Sequence, residues 1–270
     1  MPTRVGFIGL GQMGKPIATN IQNAGFDLAV YDVRQEPMDE LVRLGAVAAA
    51  SPRELGARSE IIALAVPDDR AVEEALVGKH GALDAAVSGT VVAIHSTIHP
   101  DTARRLAARG RQRGVEVIDA QMSGGQTGAR ARTLCFMVGG PRDAFERCRP
   151  VLEASGENIF HMGDLGMGAA AKAAQQAITV VNILAAVEGF RIAETAGVDL
   201  ESFQKLLAVS AGQSYMTDRW LQHYRPMATT DPRPFYRGLR AVLGLAFDLD
   251  VPAPATALAQ QVIPWALMEQ

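Results

Sequence analysis

Arg4-Val5-Gly6-Phe7-Ile8-Gly9-Leu10-Gly11-Gln12-Met13-Gly14-Lys15-Pro16-Ile17-Ala18 decides the fold. An apolar run leads straight into glycines spaced GxGxxG, and a helical pattern follows, with Ile17 and Ile21 on one face and Gly25 as a stop. A strand, a tight turn and a helix in that order suit a dinucleotide pyrophosphate. Gly9 permits the turn, Gly11 lets backbone N–H groups approach the phosphates, and Gly14 lets the helix pack closely with its positive end toward the anion. The glycine triplet alone says little. The strand before it, the helix after it and a second strand, Leu28 to Tyr31, ending in Asp32 supply the context that makes Gly9, Leu10, Gly11, Gln12, Met13, Gly14 and Asp32 the expected cofactor contacts.

Asp32 narrows the cofactor. A carboxylate at the end of the second strand accepts hydrogen bonds from both ribose hydroxyls and repels a 2'-phosphate, so NAD is expected. Arg34, two residues on, keeps NADP possible, because a guanidinium there can bind that phosphate.

The 270 residues are enough for one large or two medium domains, and a net charge of -3 provides no global field toward nucleic acid or an anionic membrane. Cys135 and Cys148 have no CxxC spacing and read as buried small hydrophobes in a reduced, cytoplasmic setting. No signal segment is read at Met1 to Arg4. The apolar stretch Met167 to Phe190 is interrupted by Lys172, Gln175, Gln176, Asn182 and Glu188, too many polar groups for a membrane span.

Up to about His161, short apolar runs alternate with amphipathic stretches: Phe26 to Tyr31, Ile61 to Val66, Val91 to His95, Val115 to Ile118, Leu134 to Val138 and Asn158 to His161. The alternation predicts α/β structure, a Rossmann-type doubly wound, mostly parallel sheet with helices on both faces. Ser51-Pro52-Arg53-Glu54 and Pro67-Asp68-Asp69 read as helix starts. After Gly168 the strand pattern stops. Ala169 to Ala196, Leu200 to Ser210, Phe235 to Leu249 and a stretch from Ala255 onward read as helices, with Pro226 to Pro234 as a loop. Two domains are expected: 1–164, dinucleotide-binding, and 165–270, an all-helical substrate and oligomerisation domain.

Chemistry is expected where the two meet. Lys172, Gln175, Gln176, Thr179 and Asn182 fall on one stripe of an otherwise apolar helix. An ammonium at position 172 can protonate a substrate oxygen as hydride reaches the carbonyl carbon, and the neutral amine can take the alcohol proton in reverse. A helix N-terminus and an oxidised nicotinamide both lower its pKa. Spacing alone is met equally by a solvated surface lysine. Ser123-Gly124-Gly125-Gln126-Thr127-Gly128, after a strand ending at Asp119, offers backbone N–H groups and a hydroxyl for a carboxylate, and it also fits an ordinary turn. His95-Ser96-Thr97-Ile98-His99-Pro100 ends another strand, at the edge where parallel sheets bind ligands. His95 and His99 lack a helix and a third ligand between them, so no metal is expected. No Ser/His/Asp arrangement is present, because Gln121-Met122-Ser123-Gly124-Gly125 lacks the first elbow glycine.

Together these segments resemble the β-hydroxyacid dehydrogenase family, typified by 3-hydroxyisobutyrate dehydrogenase, over nearly the whole chain. Gly9-Leu10-Gly11-Gln12-Met13-Gly14 is similar to its GLGxMG motif, Ser96-Thr97-Ile98-His99-Pro100 to its STxxP segment, and Asp119-Ala120-Gln121-Met122-Ser123-Gly124-Gly125 to its DAPVSGG loop. Phe136-Met137-Val138-Gly139-Gly140 matches as well, and Gly166-Met167-Gly168 with Lys172 resembles GxGxxxK. The resemblance implies that Lys172 is the acid/base group. It also implies that Ser123, Gly124, Gly125 and Gln176 hold the substrate and that Val66, Pro67, Thr97 and Arg237 touch the cofactor. Three departures stand out: Gln175 and Gln176 replace two asparagines, Arg237-Gly238 replaces a Lys-Asp pair beside the nicotinamide, and Ser214 to Phe235 is shorter than usual.

The expected activity is NAD-dependent interconversion of a small 3-hydroxy acid and its semialdehyde or keto acid. One alternative is an NADPH-dependent reductase of glyoxylate, succinic semialdehyde or an imine. Another is a non-catalytic dinucleotide-binding homologue. The expected partners are a small hydroxy acid and, from the apolar C-terminal helices with Trp265 and Leu267, further copies of the chain in a dimer or tetramer. Neither nucleic acid nor membrane is expected.

Overall fold

In a computed structural model of the chain, residues 2–226 and 238–268 are described, with side chains of the last helix described through residue 264. Arg237 and the side chains of Trp265 and Leu267 lie outside the described residues. The chain divides into two compact units, Met1–Lys172 and Ala173–Gln270.

The first unit is an eight-stranded sheet of β1 (Arg4–Ile8), β2 (Asp27–Tyr31), β3 (Val47–Ala48), β4 (Ile61–Leu64), β5 (Val91–Ile94), β6 (Glu116–Ser123), β7 (Leu134–Gly139) and β8 (Gly156–Gly163), in the order β3-β2-β1-β4-β5-β6-β7-β8. Every pairing is parallel except β6 with β7. The direction of winding reverses at β1, which pairs with β2 on one side and β4 on the other, and ligands bind at such a switch point.

Helices cover both faces, which is why the central strands are apolar on both sides. One face packs under α1 (Gly14–Asn23), α2 (Gln35–Arg43), α6 (Gly125–Ala131) and α7 (Arg142–Glu153), with Phe7, Ile17, Leu41, Phe136 and Phe145 in the core. The other packs under α3 (Pro52–Arg58), α4 (Asp69–Val77) and α5 (Pro100–Arg111), with Leu55, Leu64, Val72, Ile94 and Leu106. The predicted helix starts form: Ser51 accepts the Glu54 amide at 3.2 Å with Pro52 in the first turn, and Asp68 accepts the Ala71 amide at 2.9 Å.

The structure corrects one strand. β6 does not stop at Asp119 but runs on to Ser123, because its second half pairs antiparallel with β7 after β5 has ended. Asp119, Gln121 and Ser123 alternate with Ala120 and Met122 there, so the segment lacks the apolar run that marks the other strands.

α8 (Met167–Thr195) begins in the first unit and continues into the second. In the second unit Val180, Ile183, Val187 and Phe190 of α8 pack with Met216, Trp220, Leu239, Val242, Ala259 and Ile263. Phe190 stacks on Trp220 with ring centroids 5.9 Å apart and meets Phe203 edge-on at 5.2 Å. Among the described residues the other helices are α9 (Leu200–Leu207), α10 (Leu239–Asp248) and α11 (Pro254–Met268), with a short 3₁₀ turn at Thr217–Arg219 and a π turn at Trp220–Tyr224. The predicted helices Leu200 to Ser210 and Phe235 to Leu249 are thus shorter as described, and residues 235–237 lie outside the described residues. By length and composition alone α8 is long and apolar enough to cross a membrane; Val180, Ile183, Val187 and Phe190 of it lie in the core of the second unit, whereas Ile178 and Ile192 are exposed.

Candidate active site

The parallel register aligns Tyr31, Ile8, Leu64, Ile94 and Asp119 in one row across the sheet. The glycine turn, Asp32, Val66-Pro67 and Ser96-Thr97 therefore all emerge at the same C-terminal edge.

Two glycines of the turn have a steric reason within the protein and the third does not. Gly9 has φ +91°, and a Cβ there would stand 2.6 Å from the Ala65 carbonyl oxygen and 2.8 Å from Val66 Cγ1. Gly14 is buried, and a Cβ on it would run into the Gly9 carbonyl oxygen and approach the Phe7 ring, so the helix lies against the strand only with glycine there. At Gly11 a Cβ would meet nothing within 4 Å, so that position has no steric reason within the protein and is open to a ligand. A cleft of about 480 Å³ opens beside this turn, lined by Leu10, Gly11, Gln12, Arg34, Glu40 and Arg130 among others.

Asp32 is buried, with one carboxylate oxygen accepting the Leu10 amide at 2.6 Å and the other accepting the Arg34 amide at 2.9 Å and Arg34 Nε at 3.2 Å. Burial pushes its carboxyl up, but the hydrogen bonds from Arg34 and Leu10 outweigh that and hold it below the ordinary carboxylate range. Val66 donates its amide to Ser96 Oγ at 2.8 Å, tying the β4 and β5 loops together, and Thr97 is half-buried beside Ser96.

The β6–β7 ribbon brings the remaining candidates together. Asp119, Gln121 and Ser123 share one face, and directly opposite them stand Gly139, Met137 and Cys135. Asp119 is fully buried, accepting the Gly166 amide at 2.7 Å through Oδ1 and the Ala169 amide at 2.6 Å through Oδ2. It thus fastens the start of α8 to the sheet. The joint leaves no spare room: a Cβ on Gly139 would stand 2.6 Å from Asp119 Oδ1, and one on Gly168 2.7 Å from Oδ2. Burial raises the Asp119 carboxyl to about 6 in spite of those backbone hydrogen bonds.

Lys172 follows Ala169 by one turn and is half-buried, its ammonium close enough to the Cys135 thiol for each to influence the other's ionisation. Desolvation lowers its pKa from 10.5 to about 8, with Cys135 opposing the shift. Cys135 faces Ser123 across the ladder, so the lysine sits beside the serine loop and not on an open helix surface. In that loop Gly124 has φ +127° and Gly125 φ +62°, with nothing within 4 Å of a Cβ at Gly125, which leaves the loop amides approachable.

Two residues do work that the sequence did not reveal. Asp119 clamps α8, and Gln121, fully buried, donates from Nε2 to the Ser96 carbonyl at 2.8 Å and the Ile94 carbonyl at 3.3 Å, fixing the loop that carries Thr97. Their shared signal is polar residues at period two in a buried strand. His95 stacks near Phe7 and Phe136, bonds the Ala120 carbonyl through Nδ1 at 2.8 Å, and is driven by burial to a pKa of about 4, so it is a neutral core residue. His99 caps α5, accepting the Asp101 amide at 3.3 Å. In the second unit, Gln176 packs its carboxamide over Gly238.

A glycine turn with a steric vacancy at its middle glycine, at the switch point of a doubly wound sheet, defines a dinucleotide-binding protein. Comparison with known proteins refines that class. Residues 4–163 match the profile described as the NAD binding domain of 6-phosphogluconate dehydrogenase, and residues 166–270 match that described as NAD-binding of NADP-dependent 3-hydroxyisobutyrate dehydrogenase. The chain is 37% identical over 223 residues to the NAD-dependent L-serine dehydrogenase of Pseudomonas aeruginosa, covering 83% of this chain and 74% of that one. It is 41% identical over 196 residues to the 2-hydroxy-3-oxopropionate reductase of Escherichia coli, covering 73% and 67%. Among solved structures, the 3-hydroxyisobutyrate dehydrogenase of Mycobacterium tuberculosis with L-serine superposes with a TM-score of 0.84 at 27% identity, covering 97% of this chain and 93% of that one. The chain belongs to the β-hydroxyacid dehydrogenase family and is an NAD(P)-dependent enzyme acting on a CH–OH group.

Proposed function

We propose that this enzyme oxidises a small, 3-hydroxyisobutyrate-like 3-hydroxy acid with NAD, and that Lys172 is its general acid/base. One observation carries the reading: a half-buried ammonium beside Cys135, the residue that stands across the ladder from Ser123, with desolvation lowering its pKa to about 8. A bound nicotinamide supplies the hydride acceptor. Residues Gly9 to Gly14 and Asp32 would hold the dinucleotide, with Val66, Pro67 and Thr97 at the edge of its nicotinamide end. Ser123 and the amides of Gly124 and Gly125 fix the substrate carboxylate. Neutral Lys172 takes the hydroxyl proton as the carbon-bound hydrogen leaves as hydride, and returns it in the reverse direction.

A carboxylate at one end and an oxygen on the third carbon are common to serine and 3-hydroxyisobutyrate, the compounds in two of the relatives' names, and this supports a carboxylate anchor with a variable middle. The division of labour expected from the sequence, 1–164 for the cofactor and 165–270 for substrate and assembly, is part of the proposal. Ile178, Ile192, Phe247 and Leu258 of the second unit are exposed and support a homo-oligomer, dimer or tetramer, which light scattering would read as two or four times 28.7 kDa. An NADP-dependent variant of the same chemistry is favoured by one observation, the Arg34 guanidinium lying on Asp32. A panel of 3-hydroxy acids with each dinucleotide, followed by nicotinamide absorbance, tests the reading; turnover confined to acids without a 3-hydroxyl would overturn it.

A further inference from the structure

Gln121 links the loops at the sheet's C-terminal edge to the strand that ends in Ser123. Asp119 is the last residue of β6 beside β5, opposite Ile94, and the first beside β7, so no ladder continues on the β6 side of residues 95–99. Side chains take over where the ladder stops. Gln121 Nε2 donates to the Ser96 carbonyl at 2.8 Å and to the Ile94 carbonyl at 3.3 Å, and one position back the Ala120 carbonyl meets His95 Nδ1 at 2.8 Å. Ser96 in turn accepts the Val66 amide on its Oγ at 2.8 Å. One carboxamide thus joins the loops after β4 and β5 to the strand that reaches Ser123 two residues later. Asp119, two residues back on the same face, holds the start of the helix that bears Lys172. All of these residues belong to the first unit.

The orientation of the carboxamide follows from its partners, since only its NH₂ can face two carbonyl oxygens. Its Oε1 is shut away from solvent and accepts no hydrogen bond. A buried acceptor in that state carries a free-energy cost, so the side chain contributes less to stability than its two donated bonds alone would. The DAPVSGG pattern has proline at this position, a side chain with no donor for either carbonyl. We propose that Gln121 is a positioning residue: it fixes the loops carrying Val66 and Thr97 against the Ser123 strand, and so sets the distance between the nicotinamide and the carbon that gives up hydride. The proposal rests on the functional reading above.

The test uses the full chain with Gln121→Met, which fills similar space without a donor, Ser96→Ala, which removes only the Val66 tie, and both together. Melting temperature, NADH affinity, kcat, KM and the deuterium isotope effect on kcat are measured with the hydroxy acid best used by the wild type, labelled on the carbon that bears the hydroxyl. Gln121→Met should lower kcat by about tenfold and raise the isotope effect, because a longer hydride path makes that step limiting, while KM for the acid changes by less than about twofold. Ser96→Ala should show the same signature in smaller measure and add little in the Gln121→Met background. A wild-type kcat in Gln121→Met, or a fall in kcat and melting temperature with the isotope effect unmoved, overturns the proposal; if Gln121→Met does not fold, Ser96→Ala decides by the same measurements. If the wild type uses no 3-hydroxy acid, it is the functional reading that fails, and amide hydrogen exchange at Val66 and Thr97 still reads the tie: faster exchange in Gln121→Met supports it, and unchanged exchange overturns it.

Discussion

The carboxylate of Asp119 accepts the amide of Ala169 at 2.6 Å, joining the strand that ends in Ser123 to the helix that carries Lys172 three residues later. A second bond, from Gly166 at 2.7 Å, uses the other oxygen, so the helix start is held at two points by one buried group. The distance from the Lys172 amine to the serine loop is thereby set by the five-residue strand segment Asp119 to Ser123 on one side and a single helical turn on the other.

Asp119→Asn should break that joint at one point. The asparagine keeps one acceptor, but its NH₂ must face a backbone N–H, leaving a buried donor unmet at a cost of about 1–3 kcal/mol. Denaturant unfolding should show that loss, and kcat should fall by about tenfold to a hundredfold as the lysine drifts, with NAD(P) affinity of the glycine turn retained. The pH dependence has a definite sign. Burial raises the Asp119 carboxyl from 3.8 to about 6, so its contribution to stability is present below pH 3.8 and lost as pH rises through 6. The stability gap between wild type and Asp119→Asn should narrow across that window, and a gap that widens there would contradict the assignment.

Lys172 makes a kinetic prediction of its own. Oxidation needs the neutral amine, so kcat/KM for the hydroxy acid should rise with pH and level off above about 8, whereas reduction needs the ammonium and should fall over the same range. Lys172→Met should reduce turnover by about 10²–10⁴-fold with dinucleotide binding intact. Its stability should be equal to or greater than wild type at pH 7. The folded pKa is depressed from 10.5 to about 8, so the cost of the desolvated charge is full below pH 8 and fades as pH rises toward 10.5. Loss of cofactor affinity together with turnover would mark the lysine as structural.

The glycine turn separates fold from ligand. Gly11→Ala adds a methyl that meets nothing within 4 Å, so melting should be unchanged while the affinity for NADH, read by fluorescence titration, drops by about tenfold or more. Gly14→Ala drives a methyl into the Gly9 carbonyl and should cost about 1–3 kcal/mol of stability before any ligand is added. If both substitutions behave alike, the vacancy at Gly11 is not where the pyrophosphate lies.

These contrasts also show what a linear chain discloses. The Rossmann half was legible because its signals are local: apolar strands, Gly9 to Gly14, and helix starts at Ser51 and Asp68 lie within a few residues of the structure they specify. Lys172 was legible as a polar residue on an apolar helix, but its burial was not, since Cys135 reaches it from a strand 37 positions earlier. The Asp119 clamp spans 47 and 50 positions and rests on carboxylate-to-amide bonds that leave no periodicity. The reversal at β6–β7 hid for the same reason: polar residues at alternate positions of a buried strand look like a loop until the partner strand is seen. Gln176 and Gly238 were each visible as departures from the family pattern, but their mutual fit needed coordinates.

Cofactor choice turns on the Asp32–Arg34 pair. In the structure the guanidinium is bonded to the carboxylate at 3.2 Å and to the Leu10 carbonyl at 3.3 Å, so each charge partly cancels the other at the place where the adenosine ribose would lie. Asp32 nonetheless holds two backbone amides that Arg34 does not replace, and a buried anion fixed by the fold should repel a 2'-phosphate more effectively than an exposed arginine attracts it. Wild type should therefore favour NAD. Arg34→Ala should sharpen that preference by removing the guanidinium beside Asp32. Asp32→Ala should move the ratio of kcat/KM values toward NADP by about tenfold to a hundredfold, the worth of one charge-assisted hydrogen bond to the ribose exchanged for one to the phosphate. Turnover with NADH and NADPH for the three proteins decides it: a wild type that prefers NADP, or an Asp32→Ala that leaves the ratio unmoved, would transfer the deciding role from the carboxylate to the guanidinium.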